Sequence, residues 1–315
     1  MSGTEFSLIE RYFAHQAEGH EDVVLGVGDD AAVLRVPAGY ELVVTTDTMV
    51  AGVHFPESAS AEDIGHKLLA VNLSDLAAMG AVPRWASLAL TLPEADEDWL
   101  DNFCQGLFRL AAVHNVALVG GDTTRGPLTL SITLHGLVAE GQALRRDGAK
   151  AGDAIYVSGC LGDAGLALQH ELGNINVHGV AEILPRLHRP TPRVALGKIL
   201  HSMARAVIDI SDGLLADLGH VLQASGVGAR LELEALPVSA AVQSIIATGD
   251  WSLPLAAGDD YELCFTVAPE RESELQEKLA GLDVTVTRIG KIEAESGLRC
   301  FDAKGECYTP HGMGY

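Results

Sequence analysis

Val23-Val24-Leu25-Gly26-Val27-Gly28-Asp29-Asp30 is a β-branched apolar run that stops in Gly-Asp-Asp, and the same grammar returns along the chain. Thr45-Thr46-Asp47 follows Leu42-Val43-Val44, Gly120-Gly121-Asp122 follows 116–119, and Asp209-Ile210-Ser211-Asp212 follows 206–208. Gly258-Asp259-Asp260 precedes the strand-like segment 261–267, and Asn72-Leu73-Ser74-Asp75 adds an acid from a helical pattern. Carboxylates on loops at strand ends are held by a rigid sheet, where several can converge. Converging carboxylates repel unless hard cations lie between them, and oxygen ligands select Mg²⁺ or Ca²⁺. One Gly-Asp-Asp alone is a turn, with Gly at positive φ and Asp capping the next helix. Six acidic motifs in this setting point to metal-bound phosphate, with ions shared among Asp30, Asp47, Asp75, Asp122 and Asp209.

The surrounding composition narrows the class. The 315 residues suit two domains of ordinary size, and 48% hydrophobic residues are ample for a core. Twenty-one basic against 43 acidic residues give a net charge of −22, which excludes bulk nucleic-acid binding. An anionic small substrate remains compatible, because bound cations reverse the local field. Five cysteines form no C-x-x-C pair, which fits a reducing compartment and no zinc site. Cys300 and Cys307 have the spacing to pair across a hairpin. No basic, apolar leader opens the sequence, and no apolar run reaches the roughly 20 residues that span a bilayer. The expectation is a soluble, cytoplasmic protein with no membrane partner.

Periodicity predicts helices over 7–16, 61–80, 96–114, 163–171, 193–203, 213–224 and 271–281. Strands are expected over 23–27, 31–36, 41–46, 85–92, 116–119, 128–138, 154–158, 206–210, 261–267 and 284–289. Pro83 is read as the stop of the second helix. Turn chemistry over 145–152 marks the domain boundary, giving domains 1–148 and 149–315. Strands and helices interleave in both halves, so the class is mixed α/β (α+β). P-loop, protein-kinase, Rossmann and G-x-S-x-G signatures are all absent. A nucleotide would be held by metals and glycine loops of another kind.

Taken together, Gly28-Asp29-Asp30-Ala31-Ala32, Thr46-Asp47-Thr48-Met49-Val50, Gly52-Val53-His54-Phe55 and Val71 through Gly80 resemble the thiamine-monophosphate kinase family. Gly120-Gly121-Asp122-Thr123, Arg146-Asp147-Gly148-Ala149, Asp209 through Leu214 and Gly258 through Leu263 extend the resemblance over nearly the whole chain. It implies a two-domain aminoimidazole ribonucleotide synthetase-like fold and ATP-dependent phosphorylation of thiamine monophosphate to thiamine diphosphate. It also implies a homodimer paired through N-terminal sheets, and a nucleotide in a cleft between domains that the C-terminal domain closes. By matching position, Asp30, Thr45, Thr46, Asp47, Asp75, Asp122, Asp209 and Asp212 would hold magnesium ions. Gly121, Asp122, Arg146 and Ser211 would contact ATP, and His54, Asp260 and Tyr315 the thiamine phosphate.

That reaction joins two anions. Two unit charges about 4 Å apart repel by roughly 4 kcal/mol at an effective dielectric near 20, so cations are needed. The attacking phosphate oxygen has a second pKa of about 6 and is already ionised at neutral pH, so no catalytic general base is expected. Selenophosphate synthetase would need a reactive Cys near the start, and the hydrogenase-maturation enzyme a C-terminal Cys; neither is present. An aminoimidazole ribonucleotide synthetase-like enzyme is the nearest alternative. From another class, a non-catalytic divalent-cation binder would leave Arg146 and the Gly-Gly-Asp segment without a role.

Overall fold

The computed structural model describes residues 5–14, 16–17, 19–177 and 179–309. The chain divides into two units, Met1–Leu76 with Ala81–Gln142, and Ala77–Gly80 with Ala143–Tyr315. In the first, α1 (Glu5–Tyr12) and a short hairpin, β1 (Val23–Leu25) with β2 (Val33–Leu34), precede β3 (Tyr40–Val50) and α2 (Ala61–Ala78). Then come β4 (Val82–Leu92), α3 (Glu97–His114), β5 (Ala117–Arg125) and β6 (Thr129–Ala139). The main sheet runs β3-β6-β4-β5, with β4 and β5 parallel and the other pairs antiparallel.

One sheet face carries Ala86, Leu118 and Ile132 against Leu69 of α2 and Leu107, Phe108 and Ala111 of α3. The opposite face carries Trp85, Ala117 and Val119 beneath Ala17, Val23, Ala32 and Leu34. Two glycines let α2 and α3 approach backbone to backbone. A Cβ on Gly106 would stand 1.9 Å from the Glu62 carbonyl oxygen, and one on Gly65 2.2 Å from that of Phe103. Asp96 caps α3 by accepting from Trp99 N–H at 3.1 Å, and Asn115 ends it at φ 53°.

Three expectations change here. The helix over 61–80 stops at Ala78, where Gly80 turns left-handed at φ 68°. Pro83 lies inside β4, beside a register shift between Pro83 and Trp85, one of the places where a strand tolerates a residue without N–H. Thr45-Thr46-Asp47 and Gly120-Gly121-Asp122 are strand interiors rather than strand-end loops. Flanking residues up to Val50 and Arg125 keep pairing with neighbouring strands, and backbone pairing overrides the turn preference of Gly and Asp.

The second unit contains β7 (Ala154–Ser158), α4 (Asp163–Glu171), α5 (Leu184–His188), α6 (Val194–Leu200), β8 (Ala204–Asp209), α7 (Leu214–Ser225) and β9 (Gly228–Glu232). It continues with α8 (Ala240–Ile246), α9 (Ser252–Ala256), β10 (Leu263–Val267), α10 (Glu272–Leu279), β11 (Val286–Glu293), β12 (Gly297–Phe301) and β13 (Cys307–Tyr308). Seven strands run β13-β12-β9-β11-β7-β10-β8. β7 and β10 are buried along their whole length, as their predominantly apolar sequences require. β9, β12, β13, α5, α8 and α9 were not expected from periodicity; each is at most seven residues long, too short for a repeat to register. Cys300 is buried, Cys307 is exposed, and both are free thiols, so the hairpin pairing does not form.

Gly106→Leu is expected to lower unfolding free energy by at least about 2 kcal/mol, because the α2 backbone must retreat. Urea unfolding followed by tryptophan fluorescence checks this; an unchanged midpoint would contradict the close helix contact.

Candidate active site

Strand alternation sorts the candidate ligands of the first unit. Successive side chains of β3 point to opposite faces. Thr46 and Thr48 take one face, where their hydroxyls meet Thr133 Oγ1 at 2.9 Å and Ser131 Oγ at 2.7 Å on β6. Thr45 and Asp47 take the other, toward α2, where the Thr45 hydroxyl donates to Asp75 Oδ2. Asp47 and Asp75 lie close enough to interact directly, and burial followed by the Asp75 charge pushes the Asp47 carboxyl up to about 6. Thr45, Asp47 and Asp75 are therefore brought together, and the Thr46 side chain is turned away from them.

Register places Asp122 elsewhere. One row across the sheet reads Asp47, Ile132, Leu88, Gly121, and the next reads Thr48, Ser131, Ala89, Asp122. Asp47 and Gly121 thus sit on opposite edges, three strand spacings or about 14 Å apart, and Asp122 shares the face of Thr48 rather than Asp47. Asp122 lines a cavity of about 590 Å³ with Gly28, Asp29, Asp30, Ser87, Gly120 and Gly121, roofed by Ile9 and Phe13. Gly121 has no substitute there: at φ 153° its Cβ would stand 1.9 Å from the Leu88 carbonyl oxygen. A glycine-lined cavity with three carboxylates at its wall suits a phosphate bound through a cation.

In the second unit two acidic loops are joined through their backbones. Asp259 N–H donates to Ser211 O at 2.9 Å, Tyr261 N–H to Ile210 O at 2.8 Å, and Ile210 N–H to Glu262 O at 2.8 Å. Asp259 and Tyr261 sit at φ 66° and 47°, left-handed conformations that cost non-glycine residues energy and persist where surrounding contacts hold them. Asp209 is buried, Ser211 is half-buried and Asp212 is exposed. Asp260 is only 6% exposed, and both its oxygens accept from Gly162 N–H, at 3.0 and 3.1 Å. Burial raises its carboxyl well above the usual range. Its side chain is engaged beneath the loop, not presented at its surface.

His54 is exposed and accepts from Val50 N–H at its Nδ1 at 3.1 Å, so the neutral ring carries its proton on Nε2. Arg146 is exposed, and its carbonyl accepts from Ser225 Oγ at 3.0 Å. Tyr315 lies outside the described residues. Sequence reasoning assigned no role to Glu262 or Asp217. Glu262, 1% exposed, accepts from Ser158 Oγ and Arg186, and from both the Nε (2.6 Å) and NH2 of Arg193. Two guanidiniums and one hydroxyl satisfy its charge, as burial demands. The signal was present as a Glu at the mouth of an apolar strand, with an arginine pair 69 and 76 residues away that no local pattern connects.

Among the described residues, no three His, Cys, Asp or Glu side chains lie close enough to hold one metal ion together. The donors still fit magnesium, which takes one or two carboxylates and completes its shell with phosphates and water. The Asp47–Asp75 pair is the observation that favours a cation, since two carboxylates held side by side repel unless a proton or a cation lies between them.

Comparison with known proteins follows the same lines. Residues 28–138 match the N-terminal domain of AIR synthase related proteins, and residues 150–303 match the C-terminal domain of that family. The thiamine-monophosphate kinase of Escherichia coli O157:H7 is 46% identical, over 100% of this chain and 98% of that protein. The crystal structure of thiamine-monophosphate kinase from Stenotrophomonas maltophilia K279a is 50% identical, with a TM-score of 0.88, covering 98% of this chain and 99% of that one. A structure of AaThiL complexed with AMPPCP and TMP is 32% identical, with a TM-score of 0.77, covering 99% and 96%. The chain belongs to the AIR synthase related proteins and, within them, to the thiamine-monophosphate kinases.

Asp47 also sets a pH dependence. Its folded pKa of about 6 exceeds the ordinary 3.8, so its contribution favours folding below about pH 4 and is lost as pH rises through 6. In EDTA, Asp47→Asn is expected to remove that loss and stabilise the protein at pH 7.5 by about 1–2 kcal/mol after allowance for solvent screening. Thermal melts at pH 4.5 and 7.5 check it; a variant that gains nothing at pH 7.5 would contradict the buried repulsion.

Proposed function

We propose that this protein transfers the γ-phosphoryl group of ATP directly, in line, to the phosphate of thiamine monophosphate, yielding thiamine diphosphate and ADP. What carries the reading is full-length similarity to thiamine-monophosphate kinases, including one solved with AMPPCP and TMP, joined to oxygen-only acidic sites on rigid strands. Asp30 and Asp122 at the cavity, Thr45, Asp47 and Asp75 beside α2, and Asp209 and Asp212 in the second unit would hold magnesium ions, with Thr46 contributing through its backbone. Magnesium, when bound, neutralises the repulsion between the two phosphate groups and the charge that develops in transfer.

The protein's own task is positioning. Gly121 would contact ATP through its backbone, and Gly120 beside it, where an added Cβ would meet nothing within 4 Å, leaves the cavity wall open to a phosphate. Arg146 can fork onto phosphate oxygens with two parallel hydrogen bonds, and the Ser211 hydroxyl supplies a further contact. His54 offers Nε2–H to the acceptor. Asp260 acts on the acceptor through the loop it holds, with Tyr315 as the aromatic partner. The attacking phosphate oxygen is already ionised at neutral pH, so no side chain has to remove a proton and no phospho-enzyme forms. Residues 1–148 carry the cavity and the β3–α2 donors, and 149–315 the remaining loops that close on the substrates.

The protein works in this reading as a cytoplasmic homodimer. Among the described residues, no helix is long and apolar enough to cross a membrane. Tyr40, Leu42 and Val44 stand 49%, 45% and 52% exposed on one face of edge strand β3, an apolar row that a second copy would cover.

Incubation with thiamine monophosphate, ATP and Mg²⁺ is expected to yield thiamine diphosphate, with none in EDTA and none from free thiamine. Asp122→Asn is expected to lower the rate at least about 100-fold with the fold intact. ATP turnover without thiamine diphosphate would overturn the acceptor assignment. Leu42→Glu is expected to halve the mass measured by light scattering; an unchanged mass would move the dimer contact away from β3.

A further inference from the structure

Asp217 is 3% exposed, and one of its oxygens, Oδ2, accepts three consecutive backbone N–H groups. Ser211, Asp212 and Gly213 donate to it at 3.0, 3.0 and 3.2 Å. The residue stands four positions into α7, whose first helical bond runs from Asp217 N–H to Gly213 O at 3.0 Å. Side chains tilt toward a helix N-terminus, so a carboxylate at this position reaches back over the first turn. Gly213, the residue before the helix, has no side chain to cap it. Three converging N–H groups at a helix N-terminus form a nest that otherwise binds phosphate. Here the chain's own carboxylate fills it.

Other contacts fix the same loop from its far side. A Cβ on Gly213 would stand 2.9 Å from the Ala256 carbonyl carbon, and one on Gly258 2.4 Å from Ser211 O. With its amides drawn inward to Asp217, the loop leaves Asp212 exposed. We infer that Asp217 is the positioning residue of the 209–213 loop: it fills the amide nest, excludes phosphate from it, and presents Asp212 as an outward oxygen ligand. The inference deepens the proposed function and rests on Asp212 being a cation ligand. It also restricts Ser211, whose backbone donor is engaged, to contacting nucleotide through its hydroxyl. A plain helix cap would stabilise α7 without affecting cation binding, and this is the distinction to test.

The full-length chain is compared with Asp217→Asn, which keeps one carbonyl acceptor, and Asp217→Leu, which keeps none. Amide hydrogen exchange at 211–213 and Mn²⁺ uptake followed by electron paramagnetic resonance are read alongside thermal melts. Asp217→Leu is expected to lose protection at the three amides and to need at least about tenfold more Mn²⁺ for half-saturation, the usual effect of removing an outer-shell partner. Asp217→Asn is expected to stay within about threefold of wild type. A folded Asp217→Leu with wild-type Mn²⁺ affinity, or an Asn variant as impaired as Leu, overturns the positioning role. Failure of wild type to make thiamine diphosphate would overturn the proposed reaction, while the exchange and Mn²⁺ readings still decide for or against Asp217.

Discussion

Negative charge confined beside negative charge is the constraint on which the first unit depends. Asp47 projects from β3 toward Asp75 on α2, and neither backbone can retreat. β3 is paired along its whole length with β6, and α2 is held against α3 by the glycine contacts at Gly65 and Gly106. A carboxyl so placed either keeps a proton, as its pKa near 6 indicates, or shares a cation with its neighbour. Helix packing therefore sets the spacing of the two carboxyls, because whatever moves α2 moves Asp75.

The second unit treats its carboxylates differently. Asp217 is satisfied by three amides, Asp260 by the Gly162 amide, and Glu262 by two arginines and a serine. These buried acids hold loops that would otherwise be unstable, including the left-handed Asp259 and Tyr261. Asp212, the exposed acid of the 209–213 loop, is thus carried on a frame built from other acids. A chain with 43 acidic residues thus buries some of them as supports for loops that expose others.

Much of this was legible in the sequence. The mixed class, the strong amphipathic helices and most strands followed from periodicity, and the recurrence of Gly/Ser/Thr-flanked aspartates marked the candidate ligands. What periodicity missed has physical causes. Thr45 to Asp47 and Gly120 to Asp122 look like loops because glycine and aspartate disfavour strands, yet tertiary pairing keeps them extended. Thr46 reads as a ligand by adjacency, but a period of two sends it to the face opposite Asp47. Asp260 reads as an accessible turn acid, and only the approach of Gly162, 98 residues away, buries it. Asp217 and Glu262 have partners set by the fold, so a local pattern could not single them out.

The central claim, that the Asp47–Asp75 pair exists to take a cation, makes a thermodynamic demand. A ligand carboxyl with a pKa near 6 must lose its proton when the cation binds. Calorimetric Mg²⁺ titrations at pH 6 in buffers of different ionisation enthalpy measure that proton directly. The expected result is release of about half a proton at pH 6, almost none at pH 8, and none at either pH in Asp47→Asn. Mg²⁺ binding at pH 6 with no buffer dependence, or with the same release from Asp47→Asn, would contradict the account.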